Sequence, residues 1–333
     1  MLYSVYYHCI KYFLLRPPSP QSIINFLKYL FNYLLLRKDI VSYFPISIVL
    51  YATKRCNLSC SFCYIGEDLN PSNYKDFELS YEKYEAIKKT PYFKNSLRVG
   101  MLGGEPFLAK DIWKILEDLK RQHKISTVVS NAMLLEGKNL ELLKKHTPVA
   151  LGLSLYDNNW PHVKRVLEHM NGRCFIWVQY ILDRHHIHGF ERVLNFLIDS
   201  GCRNIRVSNH FPNDEADLDN VIFDDNSEFI EMKKDIDKKY DHKINIDWFS
   251  PISREVKNKQ CNKPFSFIHI DSNGGIGPCL MRSPDQEKFG SIYDKDGWNH
   301  QGCVDLRRDM NDNSKTNSIC RNCESLEDDL YKV

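Results

Sequence analysis

From residue 46 onward, short apolar runs alternate with helical patterns, and this alternation limits what the chain can fold into. The runs are Ile46–Ala52, Leu97–Leu102, Ile125–Val129, Val149–Leu155, Phe175–Leu182 and Asn204–Ser208. Helical patterns fall near Lys110–Arg121, Leu140–Lys145, Pro161–Met170 and Phe190–Ser200. Such alternation predicts a parallel sheet with helices outside it. Six units are too few for a closed eight-fold barrel. The expectation is therefore an α/β fold, a partial (β/α)6 TIM-like barrel with its functional groups at the strand C-terminal ends.

Two further segments flank this core, giving expected domains at 1–45, 46–250 and 251–333. Residues 210–260 read as a final helix around Ser227–Lys239 and a linker. From Cys261 the chain reads as a small cysteine-rich domain of strands and loops. Residues 1–45 read as an apolar helical extension rich in Tyr, Phe and Leu. The apolar run Ile23–Leu36 is too short to span a bilayer and lacks a signal-peptide cleavage pattern. Helices packed on the barrel are one reading of it. A peripheral membrane contact through residues 1–40 is the competing one. A net charge of +2 gives no footprint for nucleic acid. Eleven cysteines without a secretory signal fit metal ligation in a reducing cytoplasm better than a disulfide framework.

Three of those cysteines, Cys56, Cys60 and Cys63, follow the first strand in the run Cys-Asn-Leu-Ser-Cys-Ser-Phe-Cys. Three thiolates can hold three irons of a four-iron cluster and leave the fourth iron open, unlike a closed four-cysteine zinc site. Behind the second strand comes Gly103-Gly104-Glu105-Pro106, in which glycines admit close backbone approach and proline fixes the turn. Together the two motifs resemble the signature of the radical S-adenosylmethionine (SAM) enzymes. The resemblance implies a [4Fe-4S] cluster on Cys56, Cys60 and Cys63, with SAM chelating the open iron. One electron would then split a C–S bond and release a 5′-deoxyadenosyl radical. Backbone carbonyls and Glu105 of the Gly-Gly-Glu-Pro loop would receive the SAM amine. Weaker carry-overs are Asn131, where Ala132 replaces the family's glycine, and Ser154, where the run Ser154–Asp157 lacks one. Gln179 and Arg184 on and after the fifth strand complete the cofactor-binding candidates, with Phe62 beside the last cysteine. Tyr156 and Asp157 face the expected barrel mouth.

A second cysteine set is C-terminal: Cys261, then Cys279 in Gly274-Gly275-Ile276-Gly277-Pro278-Cys279, then Cys320 and Cys323. Four thiolates satisfy either a zinc or a four-iron cluster, and spacing alone does not choose. The C-x12-G-x4-C run resembles the opening of the auxiliary-cluster domains called SPASM and Twitch. It implies a second, auxiliary [4Fe-4S] cluster, in the shorter Twitch-like form. Cys303 is a spare. Cys174 and Cys202 read as small buried hydrophobes, and His185, His186 and His188 as a solvated loop.

The resemblance implies hydrogen-atom abstraction from an unactivated C–H bond, with an electron donor such as flavodoxin or ferredoxin as partner. It is nearly silent on substrate, whether small molecule or peptide. The short apolar N-terminus lowers the prospect of a peptide maturase and leaves a sugar- or lipid-linked metabolite as the marginal preference. Competing readings are a non-catalytic iron–sulfur electron-transfer protein and a zinc-stabilised binding protein.

Overall fold

The structure is a computed structural model describing residues 2–63, 65–66, 69–212, 216–253, 261–279, 284–312, 320 and 323. Helices α1 (Leu2–Leu15) and α2 (Pro20–Phe31) open the chain, and a π-turn at Asn32–Leu36 follows. Then come β1 (Ser47–Tyr51), α3 (Tyr81–Lys89), α4 (Pro91–Asn95), β2 (Arg98–Leu102), α5 (Ile112–Arg121) and β3 (Ile125–Ser130). Next are α6 (Gly137–Lys145), β4 (Ala150–Ser154), α7 (Trp160–Met170), β5 (Phe175–Leu182), α8 (Phe190–Asp199) and β6 (Asn204–Asn209). The chain continues with α9 (Ser227–Tyr240), β7 (Asn245–Asp247), α10 (Lys263–Ser266), β8 (Phe267–Ile270), β9 (Ile276–Gly277), α11 (Gln286–Phe289) and α12 (Gln301–Asn311).

Among the described residues the strands form one sheet in the order β7-β6-β5-β4-β3-β2-β1-β8-β9. Every pairing is parallel except the β8–β9 hairpin. The sheet has two edges and does not close into a barrel. The six expected strands are β1 to β6. Two features lie outside that reading. β7 is a three-residue edge strand, Asn-Ile-Asp, too short and polar to show as an apolar run. β8, in the segment read as a separate small domain, continues the same sheet by pairing with β1, from Ser47↔Phe267 to Leu50↔Ile270.

The helix layer is held by regular apolar stripes. Helix α5 buries Ile112, Ile115, Leu116 and Leu119, and α7 buries Val163, Val166, Leu167 and Met170. Helix α8 buries Phe190, Val193, Leu194 and Leu197. Each stripe has the i, i+3, i+4, i+7 spacing of one helix face, and each side chain contributes about 1.5–3 kcal/mol on full burial. Alternate strand residues such as Ile48, Leu50, Val99, Met101, Leu151 and Leu153 meet these stripes. The positions between them, including Arg98, Thr127, Trp177 and Gln179, belong to the opposite, inner face. There Arg98 donates to Ser47 Oγ (2.8 Å) and Thr127 Oγ1 (2.9 Å).

Helices α1 and α2 lie at the N-terminal ends of the strands. The His8 ring is 5.5 Å from that of Phe175, the first residue of β5. Arg16 donates to Lys120 O, and Pro17 O meets His123 Nδ1, both just before β3. Ser22 Oγ donates to Ser96 O and Lys94 O, just before β2. The motif loops leave the opposite ends of β1 and β2.

Candidate metal centre and cofactor site

The ladder between β1 and β2 runs past the strand ends and zips two loops together. Ala52 N donates to Leu102 O (2.7 Å), Gly104 N to Thr53 O (2.8 Å) and Glu105 N to Arg55 O (2.7 Å). The contact needs glycine twice. A β-carbon on Gly103, whose φ is +135°, would lie 2.3 Å from Thr53 O. One on Gly104 would lie 2.1 Å from Arg55 O and 3.0 Å from Cys56 N. The glycine loop is thus seated on the backbone that leads directly into Cys56. Pro106 then opens a short 3-10 turn.

Glu105 is almost fully buried. Its carboxylate accepts hydrogen bonds from Phe107 N (3.1 Å), Ser130 Oγ (2.9 Å) and Asn131 N (2.9 Å). Burial pushes its carboxyl up to about 7, against the pull of those three donors. The side chain therefore ties the loop after β2 to the turn after β3, a structural duty beyond the amine contact that the resemblance implies. In that turn Ala132 is buried in the left-handed region at φ +65°, a conformation that glycine adopts more readily. Its amide donates to Ser130 Oγ (3.0 Å). Left-handed geometry costs an alanine roughly 1–2 kcal/mol, which the surrounding bonds offset.

Cys56, Cys60 and Cys63 share one half-buried loop. Asn70 holds its entry, Oδ1 accepting from Cys56 N (2.9 Å) and Nδ2 donating to Cys56 O (3.1 Å). Leu58 N points at Cys56 Sγ (3.4 Å), and Cys63 N donates to Cys60 O (3.2 Å). Burial pushes the Cys56 and Cys60 thiols up, and the nearby Cys63 adds to both shifts. Among the described residues no three His, Cys, Asp or Glu side chains already stand at ligand geometry. The donor set nonetheless fits an iron–sulfur cluster: three soft thiols within electrostatic reach on one loop. Metal would draw them inward and release their protons. Tyr156, just past β4, is half-buried beside them, its hydroxyl held above its ordinary range by desolvation and further by all three thiols. Its ring lies 5.5 Å from that of Phe62.

The other candidates divide. Ser154 pairs with Gln179 across β4 and β5, and Gln179 Nε2 donates to Ser208 Oγ (2.5 Å) on β6. These side chains form a polar rim inside the strand ends. Asn131 Nδ2 donates to Asn57 Oδ1 (2.9 Å), joining the β3 turn to the cysteine loop. Arg184 lies outside this group, in a 3-10 turn where its half-exposed guanidinium pairs with Asp219 (2.9 Å). His185, His186 and His188 meet Asp219, Asp183 and Glu228 respectively, not one shared ion. Sequence reasoning missed the asparagine clamps Asn57, Asn70 and Asn159. Asn159 is fully buried and donates to both Asn131 O and Ser154 O (2.8 Å each). It also missed His269, fully buried on β8 between the rings of Tyr51 and Phe267. Burial and then Arg98 push that imidazole down to about 3.

In the C-terminal segment Cys261 precedes α10, Cys279 follows β9, and Cys320 and Cys323 are bridged by a Cys323 N to Cys320 O bond (3.2 Å). All four are partly buried. The turn between β8 and β9 requires Gly274, with φ +90° and the Tyr293 ring where a β-carbon would stand. Cys303 sits apart, buried in α12 with its thiol directed at Phe289 O (3.6 Å) and pushed up to about 11 by burial. Cys202 is buried in the core, and Cys174 packs against it.

Residues 50–201 match the family model of the radical SAM superfamily, and residues 261–324 match that of SPASM, an iron–sulfur cluster-binding domain. The chain belongs to the radical SAM superfamily. The radical SAM domain implies SAM and a SAM-binding four-iron cluster, and the SPASM domain implies auxiliary iron–sulfur clusters. Among curated relatives, a probable GTP 3′,8-cyclase of Methanocaldococcus jannaschii is 33% identical over 92 residues, 27% of this radical SAM chain and 30% of that protein. The subtilosin biosynthesis protein AlbA of Bacillus subtilis is 29% identical over 112 residues, 33% of this chain and 24% of that protein. The chain spans about a third of the length of the first curated relatives it matches. Among solved structures, Streptococcus suis SuiB bound to SAM superposes with a TM-score of 0.62 at 20% identity, covering 88% of this chain and 75% of that one. SuiB bound to its precursor peptide SuiA gives 0.60 at 20% identity, covering 86% and 71%. At that identity the likeness shows the fold of the radical SAM and C-terminal domains.

Proposed function

We propose that this radical SAM enzyme modifies a peptide. The observation that supports the reading is the structural likeness to SuiB, including SuiB bound to its precursor peptide SuiA, which extends over 86% of this chain. AlbA and the sporulation killing factor maturation protein SkfB, both named for peptide products, also match in sequence. A peptide substrate thus has better support than the sugar- or lipid-linked metabolite that the sequence alone favoured.

In this reading Cys56, Cys60 and Cys63 hold the first cluster, and the Gly103–Pro106 loop with the Ser130–Ala132 turn seats SAM against it. The bound cluster and SAM together supply a one-electron cleavage that generates the hydrogen-abstracting radical. Glu105 and Asn159 fix three strand-end loops relative to one another, so that the cofactor seat is rigid before substrate arrives. Phe62 and Tyr156 pack together and wall one side of the cysteine loop. Ser154, Gln179 and Ser208 offer donors and acceptors to cofactor or substrate along the inner rim. Cys261, Cys279, Cys320 and Cys323 hold an auxiliary cluster, and a flavodoxin or ferredoxin supplies the electron.

The test is anaerobic turnover of the reconstituted, reduced enzyme with deuterated peptides encoded by short reading frames beside its gene. The expected result is deuterium in 5′-deoxyadenosine and a mass change confined to one peptide. Deuterium transfer from GTP, with every neighbouring peptide unchanged, would overturn the reading.

A further inference from the structure

We infer that α1, α2 and the π-turn seat the protein on an anionic bilayer surface, with the cofactor end of the sheet turned toward water. The inference does not depend on the identity of the substrate. Its first support is a second apolar face, left exposed opposite the one that packs on the protein. In α2 and the π-turn the buried residues are Ser22, Asn25, Tyr29, Asn32 and Tyr33, with Phe26 and Leu30 half-buried against the core, so both faces carry apolar side chains. Ile23, Ile24, Leu27, Phe31, Leu34 and Leu35 face outward. Among the described residues, every exposed large apolar side chain except Ile230 and Tyr293 lies between Tyr7 and Ile40. Leu14 is 79% exposed and Leu35 70%. A concentration of that kind marks an interaction face.

The apolar face is also pinned outward. Asn25 Nδ2 donates to Phe44 O (2.9 Å), and its Oδ1 accepts from Phe44 N (2.8 Å). Ser22 Oγ reaches Lys94 O (3.0 Å) and Ser96 O (3.2 Å), and Asn32 Oδ1 accepts from Lys38 N (3.3 Å). Rotating α2 to bury Ile23, Ile24 and Leu27 would break these bonds and strand buried polar groups.

Charge selects the occupant. Lys11, Lys28 and Lys38 are exposed beside this face, while Arg16 donates to Lys120 O and Arg37 stacks over Tyr33 and Phe265; Asp39 is the segment's one acidic residue. Asp39 is already engaged by Asn311 and Arg308. The segment is thus strongly cationic in a chain whose net charge is only +2, so the remainder is net negative. A second copy would bring like charge against like. Anionic headgroups around an apolar interior complement both properties at once. The helices have 14 and 12 residues, and among the described residues no helix is long and apolar enough to cross a membrane. They lie on the surface. Because they contact residues just before β2 and β3 and at the start of β5, the bilayer meets the N-terminal strand ends, and Cys56–Cys63 and Gly103–Pro106 face the other way.

The test is flotation of the reconstituted enzyme with vesicles of phosphatidylcholine alone or containing phosphatidylglycerol, with sedimentation velocity alongside. Wild type should float only with the anionic vesicles and lose binding at high salt. Lys28→Glu with Lys38→Glu should weaken binding at least about five-fold per altered cation. Ile24→Asp with Leu27→Asp and Leu35→Asp should abolish it while iron content and circular dichroism stay unchanged. Bound enzyme should cleave SAM at the rate of free enzyme, because the mouth is uncovered. Three outcomes would overturn the proposal: no flotation, equal flotation on neutral vesicles, or a dimer without flotation that the aspartate variant dissociates. Loss of SAM cleavage on binding would overturn the orientation.

Discussion

Gly104 stands where two loops touch, and the contact leaves no room for a methyl group. Gly104→Ala would press a β-carbon onto the Arg55 carbonyl and the Cys56 amide, which are backbone atoms that cannot rotate aside. The first-cluster loop should be displaced by about an ångström, and such misplacement costs on the order of 100-fold in rate. Iron bound at this site and 5′-deoxyadenosine formation should both fall, with the C-terminal cysteines still metallated. Unchanged cleavage would remove the glycine contact from the mechanism. The motif was legible because its glycines, glutamate and proline are contiguous and follow an apolar run. The asparagine clamps were not. Asn57, Asn70 and Asn159 reach partners 74, 14 and 28 residues away, and nothing local distinguishes them from ordinary loop asparagines. Arg184 shows the converse: it follows a strand, yet its turn carries it out to Asp219.

Among the elements, β3 begins with a staple between the sheet and the N-terminal helices. Lys124 is buried, and its Nζ donates to Ser96 O (2.6 Å) and Lys94 O (3.2 Å), the two carbonyls that also receive Ser22 Oγ. Burial pushes its ammonium down to about 8. A depressed lysine sheds its proton in the native state before the unfolded chain does. Stability is therefore withheld below about pH 8 and recovered as pH rises toward the unfolded value near 10.4. Between pH 7.5 and 9.5 wild type should gain about 1–2 kcal/mol relative to Lys124→Met, read from urea midpoints at both pH values. A constant difference would mean the ammonium is solvated. β1 to β6 were readable because each carries apolar residues toward the helix layer, bounded by helical patterns, even where the inner face holds polar residues such as Arg98, Thr127 and Gln179. β7 was not, since an edge strand of three residues needs no apolar run. The sense of α2 was hidden for another reason. Periodicity shows that a helix has faces, but only tertiary partners for Ser22 and Asn25 show that the face carrying them, with Tyr29, turns inward and leaves Ile23, Ile24 and Leu27 outside.

For the whole molecule, the two cysteine sets predict a metal count. Reconstituted protein should hold about eight irons, four on Cys56, Cys60 and Cys63 and four on the C-terminal set. Changing Cys279 or Cys320 to Ala should lower the total to about four. Cys303→Ala should leave it unchanged, because that thiol is committed to the packing between α11 and α12. About four irons and one zinc in the intact protein would favour a structural zinc at the second set. The unclosed sheet has a consequence of its own. A sealed cylinder admits only what can enter end-first, whether a small molecule or a chain terminus. Among the described residues the sheet stops at β7 on one side and β9 on the other, and the strands leave a seam between those edges. The middle of a long polypeptide can be laid into such a seam sideways, like thread into a split bead, and lifted out again without either end passing through.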